Sequence, residues 1–129
     1  MKNILVVDND LGFVFWLCQV LDAAGYEAVP ATGIPEAVAA LKELDVWVDV
    51  LMARRSLPGA DGFAAELRSS QQGQVITIAL LDQKDEPGEL MAAWDGWQVK
   101  LDVSDAIARR IFLSLVRIAL TKSVSMPRF

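Results

Sequence analysis

The sequence predicts a single α/β domain in which helices cover both faces of one parallel sheet. Short apolar segments alternate five times with helical segments, the connections are short, and 129 residues suit one core. Since each strand–helix–strand unit returns the chain in the same direction, the strands must pair in parallel. We expect one domain over residues 1–122 and a flexible tail over residues 123–129, where the apolar period is lost.

The predicted strands are apolar at nearly every position, which is typical of strands buried on both faces. They cover residues 3–7, 26–29, 47–53, 75–81 and 97–101. The predicted helices follow the strands in turn and are marked by capping residues and by prolines in their first turns. They begin at Leu11, near Pro35, after the turn at Gly62, near Pro87, and after the capping residues Ser104 or Asp105.

The composition excludes several classes of protein. The net charge of −5 argues against a nucleic-acid surface, which is usually basic. The chain has no histidine, the commonest metal ligand and general base, and Cys18 is its single cysteine. No segment approaches the roughly 20 apolar residues that a membrane helix needs. We therefore expect a cytoplasmic protein that binds neither membranes nor nucleic acid.

Polar residues follow the predicted strands at the edge where ligands bind in sheets of this kind, beyond the carboxyl ends of the strands. Asp8-Asn9-Asp10 follow the first strand, and Arg54-Arg55 follow the third. Asp82 follows the fourth strand, and Lys100 lies at the end of the fifth. We expect these side chains to lie near one another.

Three motifs in this order resemble the response-regulator receiver domains, the CheY-like family. Residues 4–10 (ILVVDND) resemble the opening strand and its acidic cluster, residues 57–62 (LPGADG) resemble the loop after strand three, and Val99-Lys100 resemble the end of strand five. The resemblance implies a flavodoxin-like (βα)5 fold with strand order 2-1-3-4-5. It also implies a signalling module of two-component (phosphorelay) type rather than an enzyme.

The resemblance places the phosphate-accepting aspartate four residues before the loop proline, and that position holds Arg54. A guanidinium remains protonated and cannot accept a phosphoryl group. Asn9 stands at the second acidic position, and no hydroxyl ends strand four. We expect a pseudo-receiver with a remnant pocket and no cofactor; any Mg²⁺ would rest on Asp8 and Asp10. The pocket residues are Asp8, Asn9, Asp10, Arg54 and Lys100.

We further expect Arg54 to pair with Asp8 or Asp10, because unpaired charges at a partly buried site are costly; the alternative is that it points into solvent. Two other functions remain open. One is an active receiver with a displaced acceptor such as Asp82. The other is a small Mg²⁺-dependent phosphohydrolase resembling the haloacid dehalogenases, using Asp8 and Asp10, although Gly12 stands where that family has Thr or Val.

Two surfaces are candidates for contact with a protein partner, either a signalling protein or an output domain. The first helix is apolar almost all round, so Phe15 and Trp16 are expected to contact a partner or a second copy in a homodimer. The resemblance implies a second surface, made by the fourth helix, the fifth strand and the fifth helix. Its candidates are Leu90, Met91, Trp94 and Trp97.

Overall fold

Five parallel strands form one sheet in the order β2-β1-β3-β4-β5 in a computed structural model that describes residues 2–85 and 93–125. The predicted strand order is confirmed. The strands are β1 (Asn3–Val7), β2 (Glu27–Ala31), β3 (Val50–Arg54), β4 (Ile76–Leu81) and β5 (Gly96–Val99). The helices in the described ranges are α1 (Leu11–Ala23), α2 (Ile34–Leu44), α3 (Ala60–Ser70) and α4 (Ala106–Ser125).

The three central strands are buried because helices pack on both faces of the sheet. Alternate side chains of each strand point to opposite faces, so Leu5 and Leu51 join one core and Ile4 and Val50 join the other. The first core is closed by α2 and α3, and the second by α1 and α4. Both cores therefore fix the strand ends, where the polar residues lie.

Helix α1 belongs to the second core through five buried side chains. Asp10 caps the helix by accepting a hydrogen bond from the Phe13 amide, and Gly25 follows it with a φ of 93°, which suits glycine. Cys18 is among the buried residues, and burial, with a smaller effect of the Asp22 charge, raises the pKa of its thiol to about 11. It therefore acts as a core side chain.

The observed strands differ from the predicted ones mainly at their edges. β3 begins at Val50 rather than residue 47, because Val48 bonds the Gln71 side chain rather than a neighbouring strand. β2 extends to Ala31 through Pro30, which is tolerated because β2 lies at the edge of the sheet.

Two further expectations concern the end of the chain. The helix predicted near Pro87, with Leu90 and Met91, lies largely outside the described residues. Helix α4 continues to Ser125, past the predicted domain boundary at residue 122. Within residues 2–85 and 93–125, no helix is long and apolar enough to span a membrane.

Candidate functional site

The carboxyl edge of the sheet brings four strand ends together. Asp8 follows β1, Arg54 is the last residue of β3, Asp82 follows β4 and Lys100 follows β5. Their side chains, with those of the loop after β1, form connected ion pairs and hydrogen bonds. All five predicted pocket residues, Asp8, Asn9, Asp10, Arg54 and Lys100, contribute to these contacts.

Lys100 and Asp8 form the buried half of the site. The Lys100 Nζ lies 3.0 Å from Asp8 Oδ2, and the two side chains are 12% and 0% exposed. The ammonium also lies 4.7 Å from the centre of the Phe13 ring, a cation–π distance. Asp8 Oδ1 accepts the Asp10 backbone N–H at 2.9 Å. Both carboxylate oxygens of Asp8 are therefore in contact with polar groups of the protein, one in an ion pair and one in a hydrogen bond.

Asp10 lies at the rim of the site. Its Oδ2 is 3.6 Å from Lys100 Nζ, its Oδ1 caps α1, and its side chain is 55% exposed. Solvent screens an exposed pair of this kind, so Asp10 adds little to the attraction that holds Lys100.

Arg54 forms the other half of the site and corrects the predicted pairing with Asp8 or Asp10. Its Nη1 donates to Asn9 Oδ1 at 2.6 Å, and its Nη2 makes a short ion pair with Asp82 Oδ2. The hydrogen bond to Asp82 raises the pKa of the guanidinium, with smaller contributions from the charges of Asp82, Asp8 and Asp85. Lys100 has already neutralised Asp8, so Arg54 turns toward the β4 side.

Sequence reasoning considered Asp82 as a displaced acceptor and missed it as the partner of Arg54. The available signal was the strand order: β4 lies beside β3, and Asp82 is the first residue after β4. Arg54 also pairs in register with Leu80, two residues before Asp82. Both β1 and β4 lie beside β3, so the strand order places Asp82 as well as Asp8 within reach of Arg54.

Arg55 points away from Arg54, as expected for consecutive residues at a strand end. Its Nε lies 3.6 Å from Asp61 Oδ1, which also accepts the indole N–H of Trp94 at 2.6 Å. A cavity of about 220 Å³ next to this pair is lined by Arg55, Ser56, Asp61, Leu81 and Asp85.

A Mg²⁺ ion, which the receiver resemblance implies, does not fit the residues present. Asp8 is neutralised by Lys100, Asn9 Oδ1 is occupied by Arg54, and a guanidinium stands where an anionic acceptor would be needed. Among residues 2–85 and 93–125, no group of three acidic, cysteine or histidine side chains is placed to hold a metal. Two cations take up the negative charge that such an ion would balance.

The residues predicted to contact a partner differ in how far their side chains are exposed to solvent. Phe15 is 58% exposed, and Trp16 is partly buried against Phe112, with ring centroids 5.9 Å apart. Trp94 is only 7% exposed and joins the first core, whereas Trp97 is 45% exposed. Phe15 and Trp97 are thus the side chains available to a partner, while Leu90 and Met91 lie outside the described residues.

This fold, with a charged pocket at its carboxyl edge, is that of the response-regulator receiver domains. The chemotaxis response regulator CheY4 of Vibrio cholerae is 24% identical, with a TM-score of 0.75 over 93% of this chain and 99% of that one. TrrA of Thermotoga maritima, solved with Mg²⁺ and BeF, is 26% identical, with a TM-score of 0.73 over 93% of this chain and 100% of that one.

A third similar structure is a response-regulator-receiver-modulated diguanylate cyclase from Pelobacter carbinolicus. It is 21% identical, with a TM-score of 0.71, and the match covers 95% of each chain. No protein-family model matches the sequence, and no curated protein matches it. The structural neighbours are therefore CheY-like receivers, and the fold predicted from the sequence is confirmed.

Proposed function

We propose that this chain is a receiver module of two-component signalling that accepts no phosphoryl group and acts by binding a protein partner. The observation that carries the proposal is Arg54, which ends β3 and is bonded on both sides to Asn9 and Asp82. A protonated guanidinium is not a nucleophile. The module would be cytoplasmic and without enzymatic activity.

The nearby carboxylates support the same proposal. Asp82 is ion-paired to Arg54, and Asp8 is buried against Lys100. A carboxylate in an ion pair attacks phosphorus less readily, because its negative charge is already stabilised. These pairs make a displaced acceptor at Asp82, or a phosphohydrolase based on Asp8 and Asp10, less well supported than a binding module.

The neighbouring proteins support a role in protein signalling. One is a chemotaxis response regulator, and another is a receiver-modulated diguanylate cyclase. By analogy, the partner of this chain would be a signalling protein or an output domain. The exposed side chains of Leu11 and Phe15 on α1 and of Trp97 on β5 offer apolar contact area for it.

The first test is an amide NMR titration of the protein with Mg²⁺ and then with beryllofluoride, a mimic of the aspartyl phosphate. We expect no saturable shifts at Asp8, Arg54 or Lys100, because the pocket charges are already paired. The variant Asn9→Asp/Arg54→Asp restores two carboxylates and serves as the positive control. Saturable shifts in the unmodified chain would show that a carboxylate still accepts the phosphoryl group.

A second test addresses the partner surface on α1. We expect light scattering to show concentration-dependent association that Phe15→Ser abolishes and Trp97→Ser leaves unchanged. Phe15 is 58% exposed, so its replacement removes contact area without opening the core. The opposite pattern would place the contact on β5, and a monomer at every concentration would exclude the homodimer.

A further inference from the structure

Two loops meet at Arg54. One follows β1 and supplies Asn9, whose Oδ1 accepts from Nη1 at 2.6 Å; the other follows β4 and supplies Asp82, which pairs with Nη2. The side chains of Arg54 and Asp82 are both 26% exposed, so solvent reaches this pair only partly. A planar guanidinium with donors on both sides suits a bridge of this kind.

We propose that Arg54 is a positioning residue that ties the loops after β1 and β4 together and holds this edge in one conformation. This inference rests on the proposed function, in which no metal ion or phosphoryl group joins these loops. Instead, the permanently charged guanidinium of Arg54 connects the two loops through Asn9 and Asp82. The conformation that binds a partner is then fixed by Arg54 itself and does not depend on phosphorylation by a kinase.

The first support is the contact between Arg54 and Asn9, which explains two departures from the receiver pattern together. Arg54 replaces the acceptor aspartate and Asn9 replaces the second acidic residue, and these two side chains bond each other. An amide oxygen accepts from the guanidinium without adding a negative charge. The central charges are then balanced, with Asp8 and Asp82 facing Lys100 and Arg54.

The second support is that the contact on Asp82 extends into a hydrogen-bonded turn. The Asp82 amide donates to Asp85 Oδ2 at 2.9 Å, and the Asp85 amide donates to the Asp82 carbonyl at 2.9 Å. Asp82 is therefore held by its side chain on one side and by its backbone on the other. Releasing its side chain should loosen residues 82–85 as a unit.

Arg55 provides a matched control on the same strand end. It is exposed to a similar degree as Arg54, 29% against 26%, but within residues 2–85 and 93–125 it forms an ion pair with Asp61, at 3.6 Å, and not with Asp82. Asp61 lies in the first turn of α3, and its pair with Arg55 makes no contact with Asn9 or Asp82, although Arg55, Asp61 and Asp85 line one cavity. A general effect of removing an arginine at the end of β3 or directly after it should appear in both variants, whereas an effect on the loops should appear only with Arg54.

The experiment is amide hydrogen exchange on Arg54→Met, Arg54→Lys and Arg55→Met without Mg²⁺ or phosphodonor. In Arg54→Met we expect the Asp82 and Asp85 amides to exchange about tenfold faster or more, as for loss of a hydrogen bond to a charged group. Arg54→Lys should restore part of the protection, since it keeps the charge but not the planar fork. Arg55→Met should leave the Asp82 amide unchanged, and this amide is the decisive comparison because Asp85 lines a cavity beside Arg55.

Unchanged exchange in Arg54→Met, or an equal increase in Arg55→Met, would overturn the inference. Asp82→Asn removes the same pair from the other side, so it replaces Arg54→Met if that variant fails to fold. The proposed function is tested by a different result. If the unmodified chain binds beryllofluoride while Arg54→Met still loosens the loops, the proposed function is wrong and the positioning role of Arg54 is kept. If the chain ignores beryllofluoride and no variant loosens the loops, only the positioning role is wrong.

Discussion

The two edges of the sheet use polar residues in opposite ways. At the amino edge, the Thr77 hydroxyl donates to the Ala93 carbonyl at 2.5 Å and accepts from the Asp95 amide at 3.1 Å. Arg68 Nη2 lies 2.5 Å from Asp95 Oδ1. At the carboxyl edge, three buried atoms make no hydrogen bond among the described residues, but two of them lie in ion pairs. Asp8 Oδ2 faces Lys100 and Arg55 Nε faces Asp61, and the third atom is Arg54 Nε.

The difference separates an edge centred on a buried, fully hydrogen-bonded hydroxyl from an edge whose charges are balanced mainly in ion pairs. Buried polar groups are nearly always hydrogen-bonded, and exceptions gather where a site has a function besides stability. The amino edge is closed by hydrogen bonds that join Thr77, Ala93 and Asp95, together with the ion pair between Arg68 of α3 and Asp95. The carboxyl edge is closed by ion pairs between strand ends, in which Lys100 holds Asp8 and Arg54 holds Asp82.

The largest effect is expected when the buried pair at the carboxyl edge is broken. Asp8→Asn leaves the Lys100 ammonium, only 12% exposed, without its buried counter-charge. Removing one partner of a buried pair typically costs about 3–5 kcal/mol. Urea unfolding of Asp8→Asn should show a loss of this size.

The matched control is Asp10→Asn, which alters the other carboxylate near Lys100. Its side chain is 55% exposed, and asparagine still caps α1, so the expected loss is below about 1 kcal/mol. Equal losses for the two variants would mean that Asp8 is not the principal partner of Lys100. The burial of Asp8 would then make its pair with Lys100 no stronger than the exposed pair with Asp10.

An intermediate effect is expected at the amino edge. Thr77→Val keeps the shape of a fully buried side chain but removes the hydroxyl that joins Ala93 and Asp95. Leaving buried partners unsatisfied costs about 1–3 kcal/mol. The unfolding free energy should fall by this amount, while the amide shifts of Asp8 and Lys100 remain unchanged.

Thr121→Val is the control for that variant. Its hydroxyl bonds the Arg117 carbonyl on an exposed part of α4, so its loss should change stability by less than about 0.5 kcal/mol. A shift of the pocket amides in Thr77→Val would show that the two edges are coupled through β4, against the separation drawn here.

Much of the fold could be predicted because it depends on the pattern of apolar residues. β1 was placed correctly at residues 3–7, since every position after Asn3 is buried. The start of β3 could not be predicted: Val48 is as apolar as the strand, but its backbone bonds the Gln71 side chain, a contact between residues 23 apart. Long-range bonds of this kind leave no periodic signal.

The sequence predicts which residues form the site, but it does not predict which of them form ion pairs with one another. Strand order brings the carboxyl ends of β1, β3 and β5 to one edge, so Asp8, Arg54 and Lys100 could be grouped from the sequence. Which acid Arg54 contacts depends on which one Lys100 has already neutralised, and this is a matter of side-chain reach. A count of formal charges does not distinguish the carboxylates that could pair with Arg54, whereas the structure pairs it with Asp82.

The smallest effect is expected for the lysine–aspartate pair at the amino edge, which has the same chemistry as Lys100 and Asp8. Lys2 Nζ lies 3.8 Å from Asp49 Oδ1, and the lysine is 45% exposed. Lys2→Met should cost less than about 0.5 kcal/mol, and even that should vanish in about 1 M salt, where the screening length is about 3 Å. Lys100→Met, measured in the same urea series, should keep most of its larger cost at high salt because water is excluded from its partner. If the two lysine variants lost stability equally and with the same salt dependence, burial would not distinguish the edges, and the pocket would be an ordinary charged surface.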